Sequence, residues 1–361
     1  MKTYDILVVG AGLSASIVAY EASKRGLSVL VIDRRSHIGG NCYQEDINGI
    51  QVHKYGAHIF RTNDEDVWNY INQFVHFNNF INSPLARYKN KLFNLPFNMN
   101  TFYQIYNTKT PEEAIKKIEK DRLKVENPKN LEEYAKKLVG KKIYKLLIKD
   151  YTEKQWGKKC KDLPVSIMRR IPLRFTFNNN YYDSKYQGVP IEGYNALFEK
   201  LLSKCDVLLS TSYEDIKDKV KANKIVYTGA IDELYNYKYG ELEWRSLEFE
   251  TYVLKQKDFQ GNAVVNYTDK RPYTRIIEHK HFVGNNCDET VITYEYPKKW
   301  TRYDEKYYPI NDEKNEKLYN KYRKLANKEG IILCGRLADY KYYDMQDTII
   351  NALRICKEYL K

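Results

Sequence analysis

Two glycines, an alanine and an aspartate near the N-terminus have the types and spacing needed to hold a dinucleotide. Gly10-x-Gly12-x-x-Ala15 directly follows the apolar run YDILVV and precedes a stretch with helical spacing. Gly10 permits a tight turn, Gly12 lets backbone approach a pyrophosphate at the helix N-terminus, and Ala15 stands where a third glycine is common. Asp33 lies 21 residues beyond Gly12. There a carboxylate accepts hydrogen bonds from ribose hydroxyls, which favours a ribose without an extra phosphate and disfavours NADP. The six cysteines are scattered without a Cys-x-x-Cys pair, and the six histidines show no ligand spacing. Neither a disulfide framework nor a metal site is expected.

These residues need a strand, a turn and a helix to position them, and the sequence supplies all three. YDILVV reads as a short buried strand, and Ser14 to Lys24 as a helix with Ile17, Val18 and Ala22 on its apolar face. Gly26 ends that helix, and SVLVI is a second strand closing on Asp33. This is one βαβ unit. From about 98 to 160 the character becomes helical. Pro111-Glu112-Glu113 opens one helix, and 131–150 reads as another on the spacing of Leu131, Ala135, Leu138, Ile143 and Leu147. ETYVL, NAVVNYT, YTRIIEH and ETVITYEY then alternate as strands. GIILCG, followed by a helix from Met345 to Leu360, returns to the first layer. The expected fold class is α/β: a Rossmann-like FAD-binding domain, a helical insertion and an antiparallel β-sheet domain. We assign 1–80, 191–230 and 330–361 to the first, 96–165 to the second, and 81–95, 166–190 and 231–329 to the third.

The 361 residues suffice for two or three domains at about 150 residues each. With 43% hydrophobic and 30% charged residues, and no run of about 18 apolar residues, the composition is that of a globular chain. The N-terminal apolar run ends in glycines and reads as a buried strand, so a cytoplasmic location and no membrane insertion are expected. The net charge of +13 is spread over lysines mixed with Glu and Asp in 112–124 and 136–149. That pattern describes solvated helix faces, not the basic blocks of a nucleic-acid binder, and its positive field suits an anionic small molecule.

The glycine motif alone does not separate FAD from NAD; the extension Arg34-Arg35-Ser-His-Ile-Gly39-Gly40-Asn41 does. A Gly-Gly pair soon after the ribose-binding acid is similar to that of flavoproteins of the amine-oxidase kind. Longer segments carry a more specific resemblance. GAGLSAS, HIGGN, HKYGAHIFRTND, NSPLA, LFNLPFNMNTF, YTEKQWG, RRIPLRFTF, NNNYY, YQGVPIEGY, PYTRIIEHKHF, YYPIND and GRLADYKYYDM occur in order along the whole chain. With them the chain resembles bacterial UDP-galactopyranose mutases.

The resemblance implies an isomerase that interconverts UDP-galactopyranose and UDP-galactofuranose. N5 of reduced FAD attacks the anomeric carbon and displaces UDP; the adduct opens as an iminium and recloses as a five-membered ring, with no net redox change. It also implies a homodimer. Arg170 and Arg275 match the two diphosphate-clamping arginines, Arg170 within a loop that closes over substrate. Tyr308, Tyr342 and Tyr181 match tyrosines near the diphosphate. Tyr151, Thr152 and Trp156 would lie beside the uridine, with Asn82 and Asn266 as further uridine or sugar contacts. His58 would lie against the isoalloxazine. Gly10, Gly12, Leu13, Asp33, Arg34, Gly40, Asn41, Ile59, Arg336, Tyr343, Asp344 and Met345 complete the expected cofactor contacts. The alternative reading is an amine-oxidase-like FAD-dependent oxidoreductase, which shares the FAD motifs.

The chain departs from the family pattern at two places. Arg61 replaces the second His of the GAHIFHT motif. A longer, permanently charged donor there suggests that UDP-N-acetylgalactosamine is also accepted. Leu147 stands where some relatives carry Phe, leaving Tyr151 as the expected stacking partner for uracil.

Overall fold

The computed structural model describes residues 2–168, 172–284 and 286–360. The first layer grows from two apolar strands. Val29–Ile32 is buried at all four positions, as a strand covered on both faces must be. It pairs in parallel with Lys2–Val9, and the five-stranded sheet runs Ile332–Leu333, Val220–Tyr227, Lys2–Val9, Val29–Ile32, Asp206–Leu208. One face packs against helices Leu13–Lys24, Gly193–Leu202 and Met345–Tyr359, whose Ile17, Leu197 and Ile349 are fully buried. Ile216, on the short helix Tyr213–Ile216, packs with Tyr4, Leu7, Leu30 and Ile32 of the sheet.

The second layer has seven strands in the order Tyr308–Pro309, Trp244–Leu254, Thr290–Lys299, Arg275–Glu278, Val264–Tyr267, Leu85–Tyr88, Lys91–Asn94. Neighbours are antiparallel except one pair. Leu85–Tyr88 runs parallel to Val264–Tyr267, the one parallel pair in the otherwise antiparallel sheet that the sequence led us to expect. The chain enters this edge from the Rossmann layer and leaves it for the helices. No tight turn therefore joins the two neighbours or dictates opposite directions.

The helical part comprises Met99–Tyr106, Pro111–Asp121, Leu131–Ile143 and Lys149–Trp156 around Phe102, Leu131, Ala135 and Ile143. Thr110 caps the Pro111 helix through the Glu113 N–H. The single helix expected over 131–150 is broken. Gly140 has φ 85° and ψ 163°, and one π-helical turn, Tyr144–Ile148, precedes Lys149–Trp156. A Cβ at Gly140 would lie 2.7 Å from Asp121 Oδ2, so glycine is required for both conformation and close approach. Among the described residues, no helix is long and apolar enough to cross a membrane.

Candidate active site

A cavity of about 400 Å³ opens at the carboxyl ends of the parallel strands, where open α/β sheets bind ligands. Gly10, Gly12, Leu13, Asp33, Arg34, Gly40, Asn41, His58, Arg336, Asp344 and Met345 all line it. Gly12 is the N-cap of the first helix and offers no side chain to its first turn, so the positive end of that helix is left for an anion. A Cβ at Gly40, where φ is 55°, would come within 2.9 Å of Gly12 Cα, so this close approach requires glycine at position 40. Asp33 accepts the Ala11 N–H at 2.7 Å and the Arg35 N–H at 2.8 Å, so its carboxylate fixes the glycine turn. Arg34 pairs with Glu233 and Glu305, at 3.5 and 3.3 Å.

His58 is held by a second set of bonds. Its N–H donates to His53 Nδ1 at 3.2 Å, and its own Nδ1 lies 2.7 Å from the Gly56 carbonyl. Burial lowers its pKa to about 4, so the imidazole beside the cavity is neutral at ordinary pH.

Two of the expected cofactor residues sit elsewhere. Ile59 packs on the main hydrophobic core. Tyr343 donates to Asp339 Oδ2 at 3.0 Å and lines a neighbouring groove with Lys341, Tyr342 and Arg354. Its contribution toward the cavity is its carbonyl, which accepts from Arg336 Nε at 3.1 Å.

The other candidates gather around Arg275. Its Nη2 donates to the Tyr151 hydroxyl at 2.9 Å, and its Nε lies 3.1 Å from Glu295 Oε1, an ion pair out of line for a hydrogen bond. Glu295 is 3% exposed and accepts the Thr274 hydroxyl as well. Asn266 is the cross-strand partner of Arg275, and its Oδ1 is buried without a hydrogen-bond partner. The rings of Tyr308 and Tyr342 are 5.7 Å apart, and the Arg336 guanidinium lies 5.0 Å from the Tyr342 ring. Tyr308 and Tyr342 in turn interact electrostatically with Arg275 and Tyr151, so the series leads from the cofactor cavity to the Arg275 cluster. Burial raises the pKa of Tyr151, Tyr181 and Tyr308, so each remains a hydroxyl donor.

Arg61 bridges the same two regions. It pairs with Asp344 at 3.2 Å and lies 4.6 Å from the Tyr182 ring. Asp344 is also the N-cap of the helix Met345–Tyr359. Asn82 is buried, with its carbonyl accepting the Tyr181 N–H at 2.8 Å, and Thr152 is buried beside Tyr151. Trp156 packs against the helical core. Leu147 is buried in that core as well. Arg170 lies outside the described residues.

The sequence reading passed over Glu295, Tyr182, Gln187, Thr211, Tyr213 and Thr228. An acid in the apolar strand TVITYEY was the available signal for Glu295, since a charge on a buried strand face needs a partner. Gln187 faces Arg61 across paired strands and has a buried, unpartnered Oε1. Thr228 lines the cavity just after the strand Val220–Tyr227, and Thr211 and Tyr213 line it where the chain passes from the strand Asp206–Leu208 into the next helix; no local pattern marks them.

Comparison with known proteins gives a consistent result. The family model described as UDP-galactopyranose mutase matches residues 146–342, and that of a NAD(P)-binding Rossmann-like domain matches residues 8–74. A probable UDP-galactopyranose mutase of Klebsiella pneumoniae is 38% identical over 100% of this chain and 96% of its own length. A dTDP-fucopyranose mutase of Escherichia coli is 36% identical, covering 99% and 98%. The crystal structure of a reduced UDP-galactopyranose mutase superposes with a TM-score of 0.77 at 13% identity, over 99% of this chain and 94% of that one. A putrescine oxidase variant superposes at 0.58 and 11% identity, over 99% of each chain. Both structural likenesses concern the fold.

Proposed function

The chain belongs to the UDP-galactopyranose mutase family, and from that premise we propose that it interconverts UDP-galactopyranose and UDP-galactofuranose, with FAD in the cavity lined by Gly10, Gly12 and Asp33. The observation that carries the reading is the run of contacts Arg336–Tyr342–Tyr308, which sets the Arg275–Tyr151 cluster beside the cofactor cavity. A purely apolar pocket, as an amine oxidase needs, would have no use for a half-buried guanidinium among phenols.

The residues fit the cofactor. Bare backbone lines the cavity at Gly12 and Gly40, where a Cβ on Gly40 would meet Gly12 Cα at 2.9 Å, and the adjacent helix end is uncapped by side chains. Asp33 would hold the ribose, and Arg336, His58 and Met345, which line the same cavity, the far end of the dinucleotide. When bound and reduced, the flavin supplies a nucleophilic N5 for the anomeric carbon, and no net oxidation results.

The protein's own groups do the rest. Arg275 offers its guanidinium to the diphosphate and balances the charge that grows on UDP as the glycosidic bond breaks. Glu295 balances the charge of that guanidinium from 3.1 Å. Tyr308, Tyr342 and Tyr181 donate hydroxyls to phosphoryl oxygens, Tyr151 flanks the uridine, and Asn266 has an acceptor free for the sugar or base. Neutral His58 orients its loop against the cofactor without adding charge. Arg170 is a second candidate for the diphosphate.

Arg61 extends the reading to a second substrate. Its guanidinium is fixed between Asp344 and Tyr182 and retains N–H groups able to donate to an acetamido carbonyl. UDP-N-acetylgalactosamine is therefore proposed as an alternative substrate.

Product chromatography tests the assignment. FAD-loaded, chemically reduced enzyme is incubated with UDP-galactose, UDP-N-acetylgalactosamine and, given the Escherichia coli relative, dTDP-fucopyranose. A furanose product formed without stoichiometric reductant use is expected from UDP-galactose. Absence of that product, or turnover that consumes reductant one for one, overturns the proposal.

A further inference from the structure

We propose that Lys154 is a positioning residue that sets the gap between the helix carrying Tyr151, Thr152 and Trp156 and the strand carrying Arg275. The inference rests on the nucleotide-sugar reading above and concerns how this chain builds that site.

Lys154 lies on the helix Lys149–Trp156, one turn beyond Tyr151 and therefore on the same face. Its ammonium turns to the loop joining strands Val264–Tyr267 and Arg275–Glu278, where it donates to the carbonyls of Tyr267, Arg271 and Tyr273 at 2.8, 2.9 and 2.8 Å. An ammonium has three donors, and all three are used. The next residues on either side of this carbonyl cage are Asn266, Thr274 and Arg275. The helix and the strand thus meet through two tethers, Tyr151 to Arg275 in the site and Lys154 to the turn behind it. Only the first can be shared with a ligand.

The far end of the helix is fixed independently. Arg245 Nε donates to the Gln155 carbonyl at 3.0 Å, placing a cation at the negative end of the helix. With its end pinned, the helix can adjust chiefly by pivoting toward or away from the hairpin. Lys154 restrains that motion.

The same cage makes the restraint sensitive to pH. Burial lowers the Lys154 pKa to about 8, against the opposing influence of Asp269 and Asp150 and with that of Arg271. The charged groups around it are Asp150 on its own helix, Asp269 and Arg271 on the hairpin, and Arg245 at the helix end, with the phenols of Tyr267 and Tyr273 alongside. Below about pH 8 the ammonium fills all three acceptors; above it the amine keeps two donors and one carbonyl loses its partner. Affinity at the nucleotide end should fall in that direction.

The test is UDP binding by calorimetry to the FAD-loaded enzyme, from about pH 7 to about pH 9.5, for wild type, Lys154→Met and Lys154→Arg. Displacements of about 1 Å at such contacts are worth up to about a hundredfold. Lys154→Met is expected to weaken UDP binding and raise KM for UDP-galactose at least roughly tenfold, with kcat within about threefold and flavin content unchanged. Wild type should lose affinity above about pH 8, a step that Lys154→Arg, which stays charged, should lack. Should Lys154→Met fail to retain flavin, the wild-type and Lys154→Arg profiles decide alone. Wild-type affinity that is flat with pH, or Lys154→Met binding UDP as wild type does, overturns the proposal. A wild type that binds no UDP at all overturns the functional reading beneath it instead.

Discussion

Removing the Arg275 guanidinium should damage the enzyme in two separable ways. Glu295 is 3% exposed and its charge is balanced by Arg275 at 3.1 Å. Arg275→Met strands that carboxylate, and breaking a buried pair from one side costs about 3–5 kcal/mol of stability. Glu295→Gln in the same chain removes the stranded charge, and the amide oxygen can still accept from Thr274. The double variant should therefore recover at least about 2 kcal/mol relative to the sum of the single changes. Activity should not recover with it. Two charge-assisted hydrogen bonds to a diphosphate, at about 1.5–3 kcal/mol each, correspond to a loss of roughly a hundredfold to ten-thousandfold in kcat/KM. Urea midpoints of the flavin-loaded proteins give the first quantity, and initial rates of furanose formation give the second. Additive stabilities within about 0.5 kcal/mol would show that Arg275 and Glu295 are not a coupled buried pair. A kcat/KM within about threefold of wild type in Arg275→Met would remove Arg275 from the diphosphate site.

Gly40→Ala should abolish flavin retention, since a Cβ there meets Gly12 Cα at 2.9 Å in a backbone conformation that disfavours side chains; flavin absorbance per mole of purified protein reads this, and full occupancy refutes it. His279 is 2% exposed with its pKa lowered by burial to about 3, so it stays neutral in the folded state while the unfolded chain takes up a proton below about pH 6.5. Stability should thus be intact above that pH and fall as pH drops below it, by about 2.7 kcal/mol at about pH 4.5; a urea series in which His279→Gln leaves the slope unchanged would contradict this. Arg61→His should lower the rate with UDP-N-acetylgalactosamine relative to UDP-galactose, and an unchanged ratio removes Arg61 from substrate selection.

Much of this was legible before any coordinates. The βαβ unit announces itself because its determinants are local: a fully apolar strand, glycines where backbone must approach, an acid at the next strand end. All act within about 30 residues. Pro111 and Thr110 likewise start their helix from neighbouring residues alone. What local sequence could not supply was register over long distances. Nothing near residue 85 dictates a parallel neighbour at 265, and nothing in 131–150 alone reveals that Gly140 must make way for Asp121. Tyr343 shows the same limit from another side. The motif placed it at the cofactor, while packing turned its ring toward Asp339 and left only its carbonyl in reach.

The sequence by itself determined the kind of cofactor cradle and, through ordered motifs along the whole chain, the family. Those features depend on residue type at short spacing, where backbone geometry leaves few alternatives. Only the tertiary structure decided that Glu295 backs Arg275, that Arg61 is tied to Asp344, and that Lys154 spends its charge on three carbonyls. Each of these is a charge at least partly withdrawn from water whose partner comes from a distant segment, and desolvation favours such a partner without saying where in the chain it lies.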